Sequence, residues 1–365
     1  RELFASARVE LLAQADRILH EKPLSVTDKT QLPPSGDKHD YLSIAPYWWP
    51  NPKTPNGLPW IRKDGQVNPR TRGNHTDLRR VQKLFHHLDL LTFAFFYSGQ
   101  KKYADKLIQL LDTWFVNPRT RMNPHLKYAQ AVPGLNSGRP AGIIEFAGLP
   151  AVITAVQILD NRHLLPAQTR QGIMQWFSEY YDWLNSSSFG KKEARARNNH
   201  ANHYDRQLLV LLLILGRTRQ AQVIFQRFKS QRIAKQIRPD GAMPAELQRT
   251  KALSYSIMNL RCMTEIAAIA KRFGIDLWNY QTPDGRSLKK AYAFLAPYAR
   301  GGKKWPYQQI ASPEVTLKER LPHLFTLAAA IMNEPNFYPA ITRRSALSSL
   351  ELLKYPPLSS PAPLP

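Results

Sequence analysis

The stretch LRRVQKLFHHLDLLTFAFFY, residues 78–97, puts apolar side chains at Leu78, Val81, Leu84, Phe85, Leu88, Leu91 and Phe95. Steps of three and four mark one face of a helix, so the segment predicts an amphipathic helix with a buried stripe. The same period recurs over 2–19, 103–115, 141–159, 167–184, 203–215, 221–234, 253–272, 287–295, 321–332 and 340–353. Proline or glycine punctuates most junctions, as in Asn117-Pro118, Pro133-Gly134 and Asp240-Gly241, while strand-like alternation with hairpin dipeptides is hardly visible. The pattern predicts an all-α protein. No fixed-period repeat links the helices, which disfavours a solenoid and favours one helical toroid or barrel around a central cleft.

Two segments break the helical pattern. Residues 40–77 are rich in proline and aromatics, including Pro46, Pro50, Pro52, Pro55, Pro59, Pro69, Tyr41, Tyr47, Trp48, Trp49 and Trp60. A connection of that length without its own period is commonly a functional loop, and its aromatics need a surface to pack on. Residues 355–365 are Pro-, Ser- and Leu-rich and read as a loose tail. The expected organisation is therefore a single toroidal domain over 1–354, with a long loop at about 40–77, followed by the tail.

Composition narrows the chemistry. The 365 residues hold 51 Lys+Arg against 27 Asp+Glu, a formal net charge of +24, with 43% hydrophobic and 10% aromatic residues. That is enough apolar material for a core, which excludes a disordered basic tail. The surplus points to a polyanionic partner: nucleic acid, anionic lipid headgroups or an acidic polysaccharide. The basic residues come as singles and pairs, such as Arg79-Arg80, Lys101-Lys102, Lys191-Lys192 and Lys303-Lys304, and no finger, RNP-like strand or basic zipper is visible. Charge dispersed among Trp and Tyr suits a groove that follows a long polymer. No nucleic-acid partner is expected. The longest unbroken apolar run, 208–215, is too short for a bilayer span of about 20 residues, so no membrane insertion is expected. The single cysteine, Cys262, rules out an intrachain disulfide framework. The chain starts at Arg1 without an initiator Met or a signal h-region, which reads as a processed or trimmed chain and does not itself fix the compartment; a periplasmic or secreted location is an expectation consistent with the single cysteine.

Three segments concentrate chemistry. Asn198-Asn199-His200-Ala201-Asn202-His203-Tyr204-Asp205 precedes an apolar run and reads either as helix capping or as an amide and imidazole site. Zinc is disfavoured, since His200 and His203 are three apart with no glutamate between them, and no metal or cofactor is expected. Glu246-Leu247-Gln248-Arg249-Thr250-Lys251-Ala252-Leu253-Ser254-Tyr255 places Arg249, Ala252 and Tyr255 near one helix face. Asn123 to Gln130, with Arg139, reads as a loop of amide, basic and aromatic groups suited to sugar hydroxyls and carboxylates.

Together these segments resemble the alginate lyase superfamily. Asp40-Tyr41-Leu42-Ser43-Ile44-Ala45-Pro46-Tyr47-Trp48-Trp49-Pro50, with Asp64-Gly65-Gln66-Val67-Asn68-Pro69, is similar to its opening signature. The Asn198-Asn199-His200 and Glu246 to Tyr255 segments resemble its active-site segments. Asp276-Leu277-Trp278, Tyr280 and Lys304-Trp305-Pro306-Tyr307 also fit. The likeness runs in order from about residue 40 to 307. One departure is visible: many relatives continue with Gly-Thr-Trp after Asn-Asn-His, where this chain has Ala201-Asn202-His203.

The resemblance implies an (α/α) toroid that cleaves a uronate polymer (alginate, mannuronate-rich chains or a glucuronan) by β-elimination. The proton at C5 is acidified only if its carboxylate is neutralised as charge develops. By resemblance Asn199 and Arg249 neutralise, Tyr255 exchanges the protons and His200 stands beside it. Where the C5 hydrogen and O4 share a ring face, as in D-mannuronate, Tyr255 serves as both base and acid; in L-guluronate His200 is the base. Residues 40–77 would form a lid over the cleft, with Trp48, Trp49 and Trp60 stacking on sugars and Arg62, Lys63 and Arg70 meeting carboxylates. Asn198, Tyr204, Asn123, Gln130 and Arg139 complete the expected substrate contacts. Two rival readings stand beside this one. A glycoside hydrolase on a similar toroid would need a carboxylate pair drawn from Glu145, Glu193, Asp205, Asp240 and Glu246. A non-catalytic polyanion-binding protein would bind without turnover.

Overall fold

The computed structural model describes residues 2–334, 337 and 347–356. Their fold is all-α, as the periodicity predicts, with two short strand pairs added. The chain forms two compact units, one of residues 1–10, 197–202 and 223–365 and the other of residues 11–196 and 203–222. Helix α1 (Glu2–Leu19) keeps the predicted bounds.

In the second unit, α2 (Leu78–Ser98) packs on α3 (Lys101–Leu111) and α4 (Leu149–Asn161). Leu84, Leu88 and Leu91 of the predicted stripe are buried. The helix stops at Gly99, whose φ of 67° lets its N–H reach the Phe95 carbonyl. Helix α5 (Ala167–Ser186) turns into the short α6 (Ser188–Ala194) and contributes Trp176, Phe177 and Tyr180 to an aromatic core with Phe115 and Phe146. Edge-to-face and offset contacts of this kind add to the burial of the rings.

The aromatic segment is not the unstructured connection its composition suggests. Strand β1 (Leu42–Ile44) pairs in parallel with β4 (Tyr128–Ala131), and β2 (Trp48–Trp49) pairs antiparallel with β3 (Ile61–Arg62). The ends of the segment are clasped together: Asp77 N–H donates to the Leu42 carbonyl at 2.8 Å and Leu42 N–H donates to the Asp77 carboxylate at 2.9 Å. The Lys29 ammonium completes the clasp 3.0 Å from Asp77, with both side chains fully buried. Further along, Trp60 N–H donates to the Pro133 carbonyl, and a Cβ on Gly134 would stand 2.8 Å from Pro59 Cα. Only glycine allows that approach.

In the first unit α11 (Ala252–Lys271) is the central element and packs on α10 (Pro244–Leu247), α12 (Leu288–Ala299) and α14 (Leu321–Met332). Trp278, Tyr292 and Phe325 fill its core, where the Tyr292 and Thr264 hydroxyls share a hydrogen bond. Helix α7 (Asn199–Ile214) starts four residues earlier than its apolar period indicates, and its residues 199–202 belong to this unit. Residues 340–346 of the helix expected over 340–353, and the tail from 357, lie outside the described residues; the helix there is Ser349–Lys354.

Candidate active site

The first turn of a helix exposes backbone N–H groups that have no partner inside the helix. In α7 that turn carries Asn199 and His200, and a carboxylate from α10 meets it. Glu246 Oε1 accepts the Asn199 backbone N–H at 2.7 Å, and Oε2 accepts the Asn199 side-chain Nδ2 at 2.8 Å. Asn198 Oδ1 accepts the His200 N–H at 3.3 Å. An anion at a helix N-terminus also gains from the helix dipole. Glu246 is fully buried, and burial pushes its carboxyl pKa up against the pull of the Asn199 donors and the charges of His200 and Arg249. Asn199 is fully buried as well. Its Oδ1 has no partner, and one of its two amide hydrogens is engaged by Glu246.

Three residues beyond Glu246 the chain turns through Arg249, whose N–H donates to the Glu246 carbonyl. Helix α11 begins only at Ala252, so Arg249 precedes the helix instead of sharing its face with Tyr255. The two meet regardless. Arg249 Nη2 donates to Tyr255 Oη at 2.9 Å, and the guanidinium carbon lies 4.0 Å from the ring centroid. Residues 308–310 brace this turn: Ala252 N–H donates to the Gln308 carbonyl, Ile310 N–H to the Thr250 carbonyl, and Gln309 caps Ser254. Tyr255 is 9% exposed and His200 is half-buried.

The departure at Ala201-Asn202-His203 has a physical role. Asn202 Nδ2 donates to Gln236 Oε1 at 2.8 Å and to Asn259 Oδ1, and Asn259 Nδ2 lies 3.6 Å from the Met243 sulfur. These buried amides tie the helix of His200 to α11 one turn beyond Tyr255. A network satisfied in this way fixes one relative placement of the two helices.

The expected sugar contacts lie mostly in the other unit. Arg139 Nη2 donates to Gln130 Oε1 at 2.6 Å, so two of them form a pair. Gln130 has a φ of 54°, and its N–H is held by the Ser43 hydroxyl at 2.7 Å. Beneath it Glu145 accepts from Tyr41 and Ser43, and burial pushes its carboxyl up to about 7 despite donors from Ser43, Tyr41 and Gln130. The Asn123 amide donates to Asp40 at 2.7 Å and to Asp37 at 2.9 Å. Burial opposes ionisation of Asp40, but bonds from His125, Asn123 and Ser35 outweigh it and hold the carboxyl well below the usual range. Tyr204 is buried and donates its hydroxyl to the Leu184 carbonyl. Trp48, Trp49 and Trp60 are half-buried, with the Trp49 indole donating to the Gln66 carbonyl and Lys63 5.2 Å above its ring. Arg62 and Lys63 are exposed, Arg62 paired with Asp64 at 2.7 Å.

Among the carboxylates a hydrolase would need, Glu193, Asp205 and Glu246 are buried, Glu145 is half-buried and Asp240 is exposed. Among the described residues no group of three or more His, Cys, Asp or Glu is placed to hold a metal ion.

The Asn199–His200 turn and the Arg249–Tyr255 pair thus bring amide, imidazole, guanidinium and phenol groups into one unit. The chain belongs to the alginate lyase family, whose sequence profile matches residues 25–305, and it is a polysaccharide lyase. It is similar to an alginate lyase from Bacteroides ovatus of known crystal structure, with 38% identity, 97% of this chain and 93% of that chain covered, and a TM-score of 0.91. Alginate lyase A1-III from Sphingomonas species A1 shares the fold at 16% identity, with 94% of each chain covered and a TM-score of 0.57. A tyrosine-to-phenylalanine variant of A1-III, complexed with a tetrasaccharide, superposes with a TM-score of 0.57 at 15% identity over 96% of this chain and 94% of that chain. The α/α toroid expected from the sequence is the fold of these lyases. No curated protein matches the chain in sequence.

Proposed function

We propose that this protein depolymerises alginate by β-elimination, with Tyr255 both removing the C5 proton and returning a proton to the leaving O4. The observation that carries this reading is the 2.9 Å bond from the Arg249 guanidinium to Tyr255 Oη. A free tyrosine, with a pKa of about 10, is a poor base near neutrality. A cation donating to its oxygen favours the phenolate, and the dispersed positive charge of the chain acts in the same sense. Arg249 also supplies positive charge to the substrate carboxylate as the C5 carbanion develops. Asn199 adds the amide hydrogen that Glu246 leaves free, and His200 stands in the same turn to orient the sugar.

With one residue serving both proton transfers, the C5 hydrogen and O4 must lie on the same ring face, as they do in D-mannuronate. The test is a panel of mannuronate-rich, guluronate-rich and glucuronan polymers, each scored for the unsaturated product that absorbs in the ultraviolet. The fastest release is expected from mannuronate-rich alginate. New reducing ends without that absorbance would identify a hydrolase, and tight salt-sensitive binding without product would identify a binding protein.

In the same reading the aromatic segment works as a lid whose exposed cations meet uronate carboxylates. Arg62 is at its surface, paired only with a neighbouring carboxylate that a substrate can replace. Arg62→Ala is expected to raise KM by about 2- to 5-fold, the worth of one exposed charge contact, with kcat nearly unchanged. Steady-state kinetics on mannuronate-rich alginate measures this, and an unchanged KM sinks the lid assignment.

A further inference from the structure

We infer that Glu246 is a positioning residue for elimination, holding the Asn199 amide in one orientation and anchoring the turn that presents His200. This rests on the reading that the Asn199–His200 turn is catalytic. The carboxylate does not touch the surface, so its work is done through its neighbours. It binds Asn199 twice, through the backbone N–H at 2.7 Å and the side-chain Nδ2 at 2.8 Å. The titratable side chains whose electrostatics act on it include His200 and Arg249, so three of the four residues assigned to the substrate converge on one buried acid.

The consequence is chemical. A carboxylate offers only acceptors, so it dictates that Asn199 turns its NH2 group inward towards Glu246 and leaves its Oδ1 without a partner. An asparagine amide can otherwise turn over at little cost, exchanging donor and acceptor. Held as observed, the amide has a single hydrogen left for a carboxylate, in a direction fixed by two bonds to one anion.

Glu246→Gln tests this with almost no change of volume. One oxygen remains for the Asn199 backbone N–H, but the new NH2 meets the Asn199 NH2. Two donors cannot pair, so the Asn199 amide turns over. The expected result is a loss of about 10- to 100-fold in kcat on mannuronate-rich alginate, with KM within about 2-fold, because ground-state binding is retained while transition-state alignment is lost. In an Asn199→Ala background the same change is expected to have no further effect on kcat. An unchanged kcat, or a full additional loss in the Asn199→Ala background, overturns the inference. If Glu246→Gln does not unfold cooperatively, Glu246→Asp retracts the carboxylate by one methylene and is held to the same two outcomes. Wild-type enzyme is run alongside: no ultraviolet product from any uronate polymer defeats the functional reading, whereas product from wild type with unaffected variants defeats only the role of Glu246.

Discussion

In Tyr255→Phe, ultraviolet-absorbing product from alginate is expected to fall by about a thousand-fold or more, while a mannuronate tetrasaccharide still binds within a few-fold of wild type. A positioned acid or base contributes on the order of 100- to 10,000-fold, and here one hydroxyl is assigned both duties. The substitution isolates that hydroxyl. Phenylalanine keeps the ring over which the Arg249 guanidinium lies at 4.0 Å, and what it removes is the oxygen that accepts Arg249 Nη2 at 2.9 Å. Arg249 is half-buried, so the lost hydrogen bond is expected to cost about 1 kcal/mol of stability. Loss of activity therefore cannot be attributed to unfolding, and isothermal titration with the tetrasaccharide separates binding from turnover. Residual activity above about a tenth of wild type refutes the assignment, since the surviving groups would then supply most of the acceleration assigned to the hydroxyl.

The elements that were legible from sequence are those with enough turns to show a period. Helices α1, α2 and α14 emerge nearly residue for residue because each buries a continuous stripe. Shorter elements had no such signal: α6, α10 and Pro313–Val315 span two turns or fewer, and the strands have two to four residues whose partners are remote in the chain. Asn-rich 198–202 reads as a cap because asparagine competes with the helix for its own backbone. The structure extends the helix through it because Glu246 and the Gln236–Asn259 amides satisfy those groups from elsewhere. The motifs identified Arg249 and Tyr255, though not that Arg249 reaches back from a turn. In sequence Glu246 offers itself only as one of the hydrolase carboxylates, since its partner Asn199 is 47 residues away. No spacing rule could have found Glu145 beneath Gln130, because strand β1 brings Tyr41 and Ser43 to it across the fold.

The largest stability effect is expected at the base of the aromatic segment, where Lys29→Met should cost about 3–5 kcal/mol. The Lys29–Asp77 pair is 3.0 Å apart with neither side chain exposed. Burial drives both partners towards neutrality: it pushes Asp77 up to about 6 against the pull of Lys29, and it holds Lys29 below its ordinary value. Desolvation thus offsets much of the attraction, and the intact pair adds little net stability. Removing one partner is a different matter, because it leaves the buried Asp77 carboxylate with only the Leu42 N–H and the more distant Arg80 guanidinium at 3.7 Å to offset its charge. The sign of the pH dependence follows from this. Without Lys29 the folded-state pKa of Asp77 rises further above its unfolded value of about 4, so the folded state binds the extra proton. The deficit relative to wild type is then largest at pH values above the raised pKa and shrinks as pH falls towards 6, below which Asp77 is protonated in both proteins. Adding Asp77→Asn should recover part of the loss by removing the stranded charge while keeping an acceptor for the Leu42 N–H. Recovery stays incomplete, because Lys29 also donates to the Val26 and Lys38 carbonyls at 2.6 and 2.7 Å, and methionine leaves both unserved. Urea unfolding at several pH values measures all three effects. A Lys29→Met deficit below about 1 kcal/mol, or one that does not change between pH 8 and pH 5, rules out a stranded Asp77 charge as the cause. The clasp also joins Leu42 to Asp77, the two ends of the segment carrying Trp48, Trp49 and Arg62. On the proposed role of those residues in substrate binding, loosening the clasp is expected to raise KM.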